Sequence, residues 1–109
     1  MTALSKRSKA CQISMKTKEI VWNRDNRRCI FCGKYVPIDC ANAHYIKRSQ
    51  GGLGIEQNVF TACFTCHYKE DFGQEQLEYR EQAKKYLESQ YEGWNEKNLY
   101  YDKWRNEIC

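Results

Sequence analysis

The chain has 109 residues, the length of a single globular domain and too short for two independent cores. Apolar residues make up 41%, but that share includes seven Cys, eight Tyr and three Trp. Leu, Ile, Val and Phe account for only about one residue in six, so something besides aliphatic packing has to hold the fold together. No apolar run approaches the roughly 20 residues of a spanning helix, and the first residues, MTALSKRSKACQISMK, lack the apolar core of a secretory signal. A membrane partner is therefore not expected, and the expected setting is a reducing cytoplasm, where clustered cysteines more often bind metal than form disulfides.

The net charge of +4 is unevenly spread. Residues 1–50 hold eleven Lys or Arg against three acids (Glu19, Asp25, Asp39), and residues 51–109 hold seven against eleven. A basic half on a small domain suits a polyanion such as nucleic acid.

In chain order, residues 1–15 mix Ser, Lys and small residues without periodicity and read as a mobile basic arm. Thr17 is the expected cap of a helix running to about Arg27. Cys29-Ile-Phe-Cys32-Gly33-Lys34 reads as a tight turn, Pro37 and Asp39 mark a loop, and Ala41 to Ile46 is a short strand. The glycine-rich stretch Lys47 to Gln57 reads as a flexible loop leading to a second short strand, Asn58 to Ala62, which makes a hairpin with the first. Cys63-Phe-Thr-Cys66-His67 then opens a helix that Gly73 ends. From Gln74 to about Tyr91, the positions Tyr79, Ala83, Tyr86, Leu87 and Tyr91 form one helical stripe, read as packing surface. The tail from Trp94 is aromatic and charged and is expected to wrap the core. The expected organisation is an arm over 1–15, a core over 16–73, and a C-terminal helix and tail over 74–109.

Two CxxC pairs, Cys29/Cys32 and Cys63/Cys66, are separated by thirty residues. Two residues between ligands let one turn present both sulfurs to one ion, and two such turns complete a tetrahedron of thiolates. Structural Zn2+ is the default, and a single iron fits the same geometry. Binding such an ion is worth roughly 10–16 kcal/mol and couples to folding, which compensates for the sparse aliphatic core. Cys63-Phe-Thr-Cys66-His67 also matches the CxxCH of covalent haem attachment, but that reading goes with export and leaves Cys29 and Cys32 unexplained. Cys11, Cys40 and Cys109 have no partner spacing.

Outside the cage, Ala43-His44-Tyr45-Ile46 with Arg48-Ser49-Gln50-Gly51-Gly52 is followed by Asn58 and then by His67 directly after the last Cys of the second pair. This order resembles the HNH endonucleases, also called ββα-metal or His-Me finger nucleases, in their small phage-encoded form. The resemblance covers residues 20–73 closely and residues 74–109 less specifically. It implies a small α+β fold: a ββα-metal core with a four-cysteine zinc cage, flanked by an N-terminal and a C-terminal helix. It further implies hydrolysis of DNA phosphodiester bonds, with His44 as general base, Asn58 holding the loop and orienting that base, and His67 facing the catalytic cation.

Asp71 lies one helical turn after His67, so both side chains leave one face and can reach one ion; its hard oxygen suits Mg2+ or Mn2+. The position before the base, often a further ligand in the family, is Ala43 here. Lys47 and Arg48 are placed beside the scissile phosphate as DNA-binding residues. Expected partners are double-stranded DNA and a phage protein such as the terminase, with the chain as a monomer or weak homodimer. The competing class is a non-catalytic zinc module that binds nucleic acid or a protein partner on the same scaffold.

Overall fold

A computed structural model describes residues 5–40 and 42–102. Helix α1 (Lys6–Cys11) begins at Ser5, whose hydroxyl accepts the Ser8 amide, and ends where Gln12 turns extended. The segment read as a mobile arm therefore carries a helix from residue 6; Cys11 is 2% exposed, and the Gly54 amide donates to the Ala10 carbonyl at 2.9 Å. A buried Cys and a backbone bond to a distant loop tie this segment down; residues 1–4 lie outside the described residues.

Helix α2 (Met15–Arg24) is capped by Ser14, which accepts the Thr17 amide at 3.1 Å. Thr17 itself sits inside the first turn, three residues beyond the true cap. The helix stops at Asp25, short of Arg27, because Asn26 and Arg27 both take left-handed backbone angles (φ 58° and 62°). The Arg27 amide then closes on the Trp22 carbonyl at 2.8 Å, a helix-ending bond of the Schellman kind.

Strands β1 (Asn42–His44) and β2 (Val59–Thr61) pair antiparallel, with Asn42 opposite Thr61, Ala43 opposite Phe60 and His44 opposite Val59. They are shorter than the six- and five-residue strands expected, and Ala41 lies outside the described residues. Alternation sends Ala43 into the core at 1% exposure while Asn42 and His44 face the other way, half-buried. Helix α3 (Phe64–Phe72) follows, with Cys63 as its cap and Gly73 at its end, and α4 (Gln76–Gln90) packs against α3. On α4, Ala83 and Leu87 are fully buried against a cluster that includes Tyr45, Phe60 and Leu99.

The loop between the strands is not the flexible segment its glycines suggested. Residues 51–54 are buried, and residues 48–50 form a 3-10 turn. The Leu53 amide donates to the Leu99 carbonyl (2.8 Å), and the Tyr101 amide donates to the Gly51 carbonyl (2.7 Å). The glycines serve close packing: a Cβ on Gly52 would collide with the Ile46 carbonyl, and one on Gly54 with the Gln12 carbonyl.

A buried polar hub joins α2, β2 and α4. Asp25 accepts from the Thr61 amide (2.8 Å), from Arg24 Nε (2.7 Å) and from the Tyr86 hydroxyl. Arg24 in turn donates to the Glu56 and Val59 carbonyls, at 2.7 and 2.8 Å. Among the described residues, no helix is long and apolar enough to cross a membrane.

Candidate functional site

The first CxxC pair sits on a turn that Gly33 makes possible with a left-handed φ of 77°. The Gly33 amide donates to the Cys29 carbonyl at 2.9 Å, and the Cys29 amide to the Lys34 carbonyl at 2.8 Å. The Ile30 amide donates to the Thr61 carbonyl at 3.0 Å, which docks this turn on β2. The second pair opens α3. The four sulfurs of Cys29, Cys32, Cys63 and Cys66 all lie within 4.8 Å of one another.

Amides point at two of these sulfurs: Phe31 N–H toward Cys29 at 3.4 Å and Cys66 N–H toward Cys63 at 3.5 Å. Burial pushes the Cys29 and Cys66 thiols up. Burial alone would also raise Cys63, but the Cys66 amide and the neighbouring thiols outweigh it and lower that group. Four crowded thiols resist joint ionisation unless a cation sits among them, while the amide donors favour thiolate. The group can hold a structural metal such as zinc.

A second cluster draws on the same helix. A cleft of about 160 Å3 is lined by Asn42 and His44 from β1, Lys47, Arg48 and Ser49 from the loop, and His67 and Asp71 from α3. His44 and His67 are thus brought to one cleft from positions 23 residues apart in the sequence. His67 Nε2 stands 3.3 Å from Asp71 Oδ2, as their one-turn spacing predicts.

Glu70 belongs to the same group. It offers an oxygen within 4.8 Å of the ligand atoms of His67 and Asp71, and its side chain is fully buried. Neither carboxylate oxygen makes a hydrogen bond among the described residues; Lys47 at 3.5 Å and Arg80 at 3.8 Å are its ion-pair neighbours. Burial and the adjacent Asp71 carboxyl raise Glu70 to about 7 against the pull of those cations. Burial also opposes ionisation of Asp71, but its interactions with Glu70 and Lys47 prevail and hold it below the usual carboxylate range. Sequence reasoning missed Glu70, although His67, Glu70 and Asp71 fall at i, i+3 and i+4 on one helical face.

Two sequence-derived placements change. Lys47 bonds to Asp71 and pairs with Glu70, so its ammonium is turned toward these carboxylates. Asn58 does not touch His44 in any described hydrogen bond. Fully buried, it accepts from the Ile46 amide (2.8 Å) and donates to the Ile46 (3.1 Å) and Leu53 (2.8 Å) carbonyls. Its side chain ties Ile46 to Leu53, and its backbone carbonyl accepts from the Tyr45 amide, next to His44, at 2.8 Å.

What orients His44 is α1. Its Nε2 lies 2.9 Å from the Cys11 carbonyl. A carbonyl only accepts, so Nε2 carries the proton and Nδ1 of the neutral ring keeps a lone pair. Burial, with the charges of Arg48 and His67, lowers His44 below its ordinary value despite the Cys11 bond, which keeps the ring neutral. Cys11, which had no partner spacing in the sequence, therefore contributes its backbone to this site.

The geometry is that of a neutral imidazole facing a group of two carboxylates and a second imidazole, with an arginine at the rim. In comparison with known proteins, no family model, no curated protein and no solved structure matches the chain.

Proposed function

We propose that this chain is a metal-dependent endonuclease of the HNH type that nicks double-stranded DNA. The observation that carries the reading is the meeting in one cleft of His44, its ring neutral, with His67 and Asp71, beside which the buried Glu70 offers a further oxygen. A buried carboxylate without a hydrogen bond beside an accessible His and Asp suits a divalent cation such as Mg2+ or Mn2+. When bound, that cation stabilises the charge that builds on the phosphorane and on the leaving oxygen.

His44 Nδ1 accepts a proton from the water whose oxygen forms the new bond to phosphorus. The bond from phosphorus to the 3′ oxygen breaks, and that oxygen takes a proton from solvent, leaving 5′-phosphate and 3′-hydroxyl ends. Arg48, at the rim, can grip a phosphate through two parallel hydrogen bonds. The four-cysteine group, carrying structural zinc in this reading, ties α3 to the turn docked on β2 and so aligns the two halves of the site. One site cuts one strand, so a monomer nicks.

A second reading, a non-catalytic zinc module that binds nucleic acid or a protein partner, is favoured by Lys47, whose ammonium already bonds to Asp71 and pairs with Glu70 from within the chain. A supercoiled-plasmid assay separates the two. Nicking with Mg2+ or Mn2+ that stops with EDTA and in His44→Ala supports the enzyme. Plasmid binding without nicking by the wild type across these metals refutes it.

A further inference from the structure

Beside the catalytic cleft lies a second one of about 410 Å3, lined by Ser5, Arg7, Ser8 and Cys11 from α1 and its cap and by Arg48 and Ser49 from the loop. Arg48 and Ser49 line both clefts. We propose that Arg7 and Arg48 form a second phosphate-binding site, which holds a backbone phosphodiester adjoining the one that is cut. This inference rests on the nuclease reading and extends it to how the strand is seated.

The two arginines are cross-braced. Arg7 Nη2 donates to the Ser49 carbonyl at 3.3 Å, and Arg48 Nη2 donates to the Ser8 carbonyl at 3.5 Å. Each guanidinium carries five N–H donors in a rigid fork, so one backbone bond fixes its position and leaves donors for the cleft. Gly51 completes the seat: a Cβ placed there would find Arg7 Nη2 as its nearest neighbour, at 3.5 Å, so the guanidinium lies against the bare loop backbone.

Among the described residues, no Asp or Glu lines this cleft, whereas Asp71 lines the other. A planar guanidinium pair without a carboxylate selects a phosphate oxygen pair, and the serine hydroxyls add neutral donors at the rim. Because Arg48 spans both clefts, a strand with one phosphate beside His44 has a path to place another between Arg7 and Arg48. The same short helix then supplies the carbonyl that orients the base and an arginine that seats the substrate.

Arg7 is exposed, so Arg7→Gln and Arg7→Lys should both fold, which thermal denaturation checks. Duplex binding is followed by fluorescence anisotropy over a salt series in the His44→Ala background, with and without Arg7→Gln. The expected result is about a unit less salt dependence of log K on removing Arg7, restored by Arg7→Lys. In a second arm, a single neutral methylphosphonate is stepped along the cleaved strand. One position adjoining the cut should slow nicking by wild type about tenfold or more and have no further effect on Arg7→Gln.

An unchanged salt slope in folded Arg7→Gln, or the same methylphosphonate profile in both proteins, overturns the second site while leaving nicking intact. Wild type that binds duplex but never nicks overturns the nuclease reading, and the clamp with it. Wild type that binds no duplex overturns both.

Discussion

Substituting Gly54 by Ala tests whether His44 depends on a helix that, among the described residues, adds no side chain to its cleft. A Cβ at Gly54 would strike the Gln12 carbonyl, lie 2.5 Å from its carbon and 2.9 Å from the Cys11 oxygen. All three atoms are backbone, so relief requires α1 and the loop to separate. The displaced oxygen is the one that accepts from His44 Nε2, and the Gly54 bond to the Ala10 carbonyl stretches with it. Overpacking of this kind costs about 1–3 kcal/mol, and the weakened hydrogen bond adds about 1 kcal/mol. For a domain of this size the two together lower Tm by roughly 10 °C or more. On the proposed nuclease mechanism, misplacing His44 in this way lowers kcat by about 100-fold, with KM for plasmid less affected.

Gly93→Ala is the control, since Gly93 has a φ of 73° but no atom within 4 Å of its Cβ position. It should lose about 1–2 kcal/mol to the left-handed backbone and keep its kcat. Calorimetry and single-turnover nicking read both variants. A Gly54→Ala protein with wild-type Tm and wild-type kcat would refute the reasoning that α1 is packed against the loop and holds His44.

The polar hub predicts that Asp25→Asn, which leaves the Arg24 guanidinium buried without its carboxylate, costs about 3–5 kcal/mol in urea denaturation. Tyr86→Phe should cost only about 1–2 kcal/mol, and a double variant less than additive should show that the two residues share one network. Removing the structural metal withdraws roughly 10–16 kcal/mol, more than most domains of this size possess; prolonged chelation, or Cys63→Ala, should therefore unfold the chain by circular dichroism. A folded, metal-free protein would contradict the assignment of the four cysteines as a metal cage. In the proposed mechanism the base works when neutral, and burial with the charges of Arg48 and His67 lowers His44 below its ordinary value of 6.5. The acid limb of the kcat profile should accordingly lie below that value and move upward in Arg48→Gln, where one opposing charge is gone. A limb that stays fixed in that variant would show that Arg48 does not act on the base.

Features legible in the chain were those whose spacing alone fixes geometry. The two CxxC pairs reach one point in space because each turn is local, and the His67 and Asp71 pair meets because helical periodicity places it. The α4 stripe likewise buried Ala83 and Leu87. Misreadings occurred where local composition competed with distant contacts. Ser and Lys made residues 1–15 look like an arm until Cys11 found the core, and three glycines suggested flexibility where they allow backbone to pack on backbone. Thr17 is as good a cap as Ser14, and only the fold of the preceding segment decided between them.

The candidate site divides along the same line. His44 and His67 stand out by their order along the chain, Asp71 by its one-turn spacing from His67, and Glu70 was available from the same helical spacing. That Lys47 turns inward to the carboxylates, that Ala43 faces the core and that the Cys11 carbonyl orients His44 depend on strand register and on the docking of α1. Which residue types stand one turn or one knuckle apart follows from the chain's order, because backbone geometry within a few residues sets those relations. The tertiary structure alone decided what charges and carbonyls surround them, because those partners come from segments as far as 33 residues away, as His44 and Cys11 are, and no local rule specifies how such segments meet.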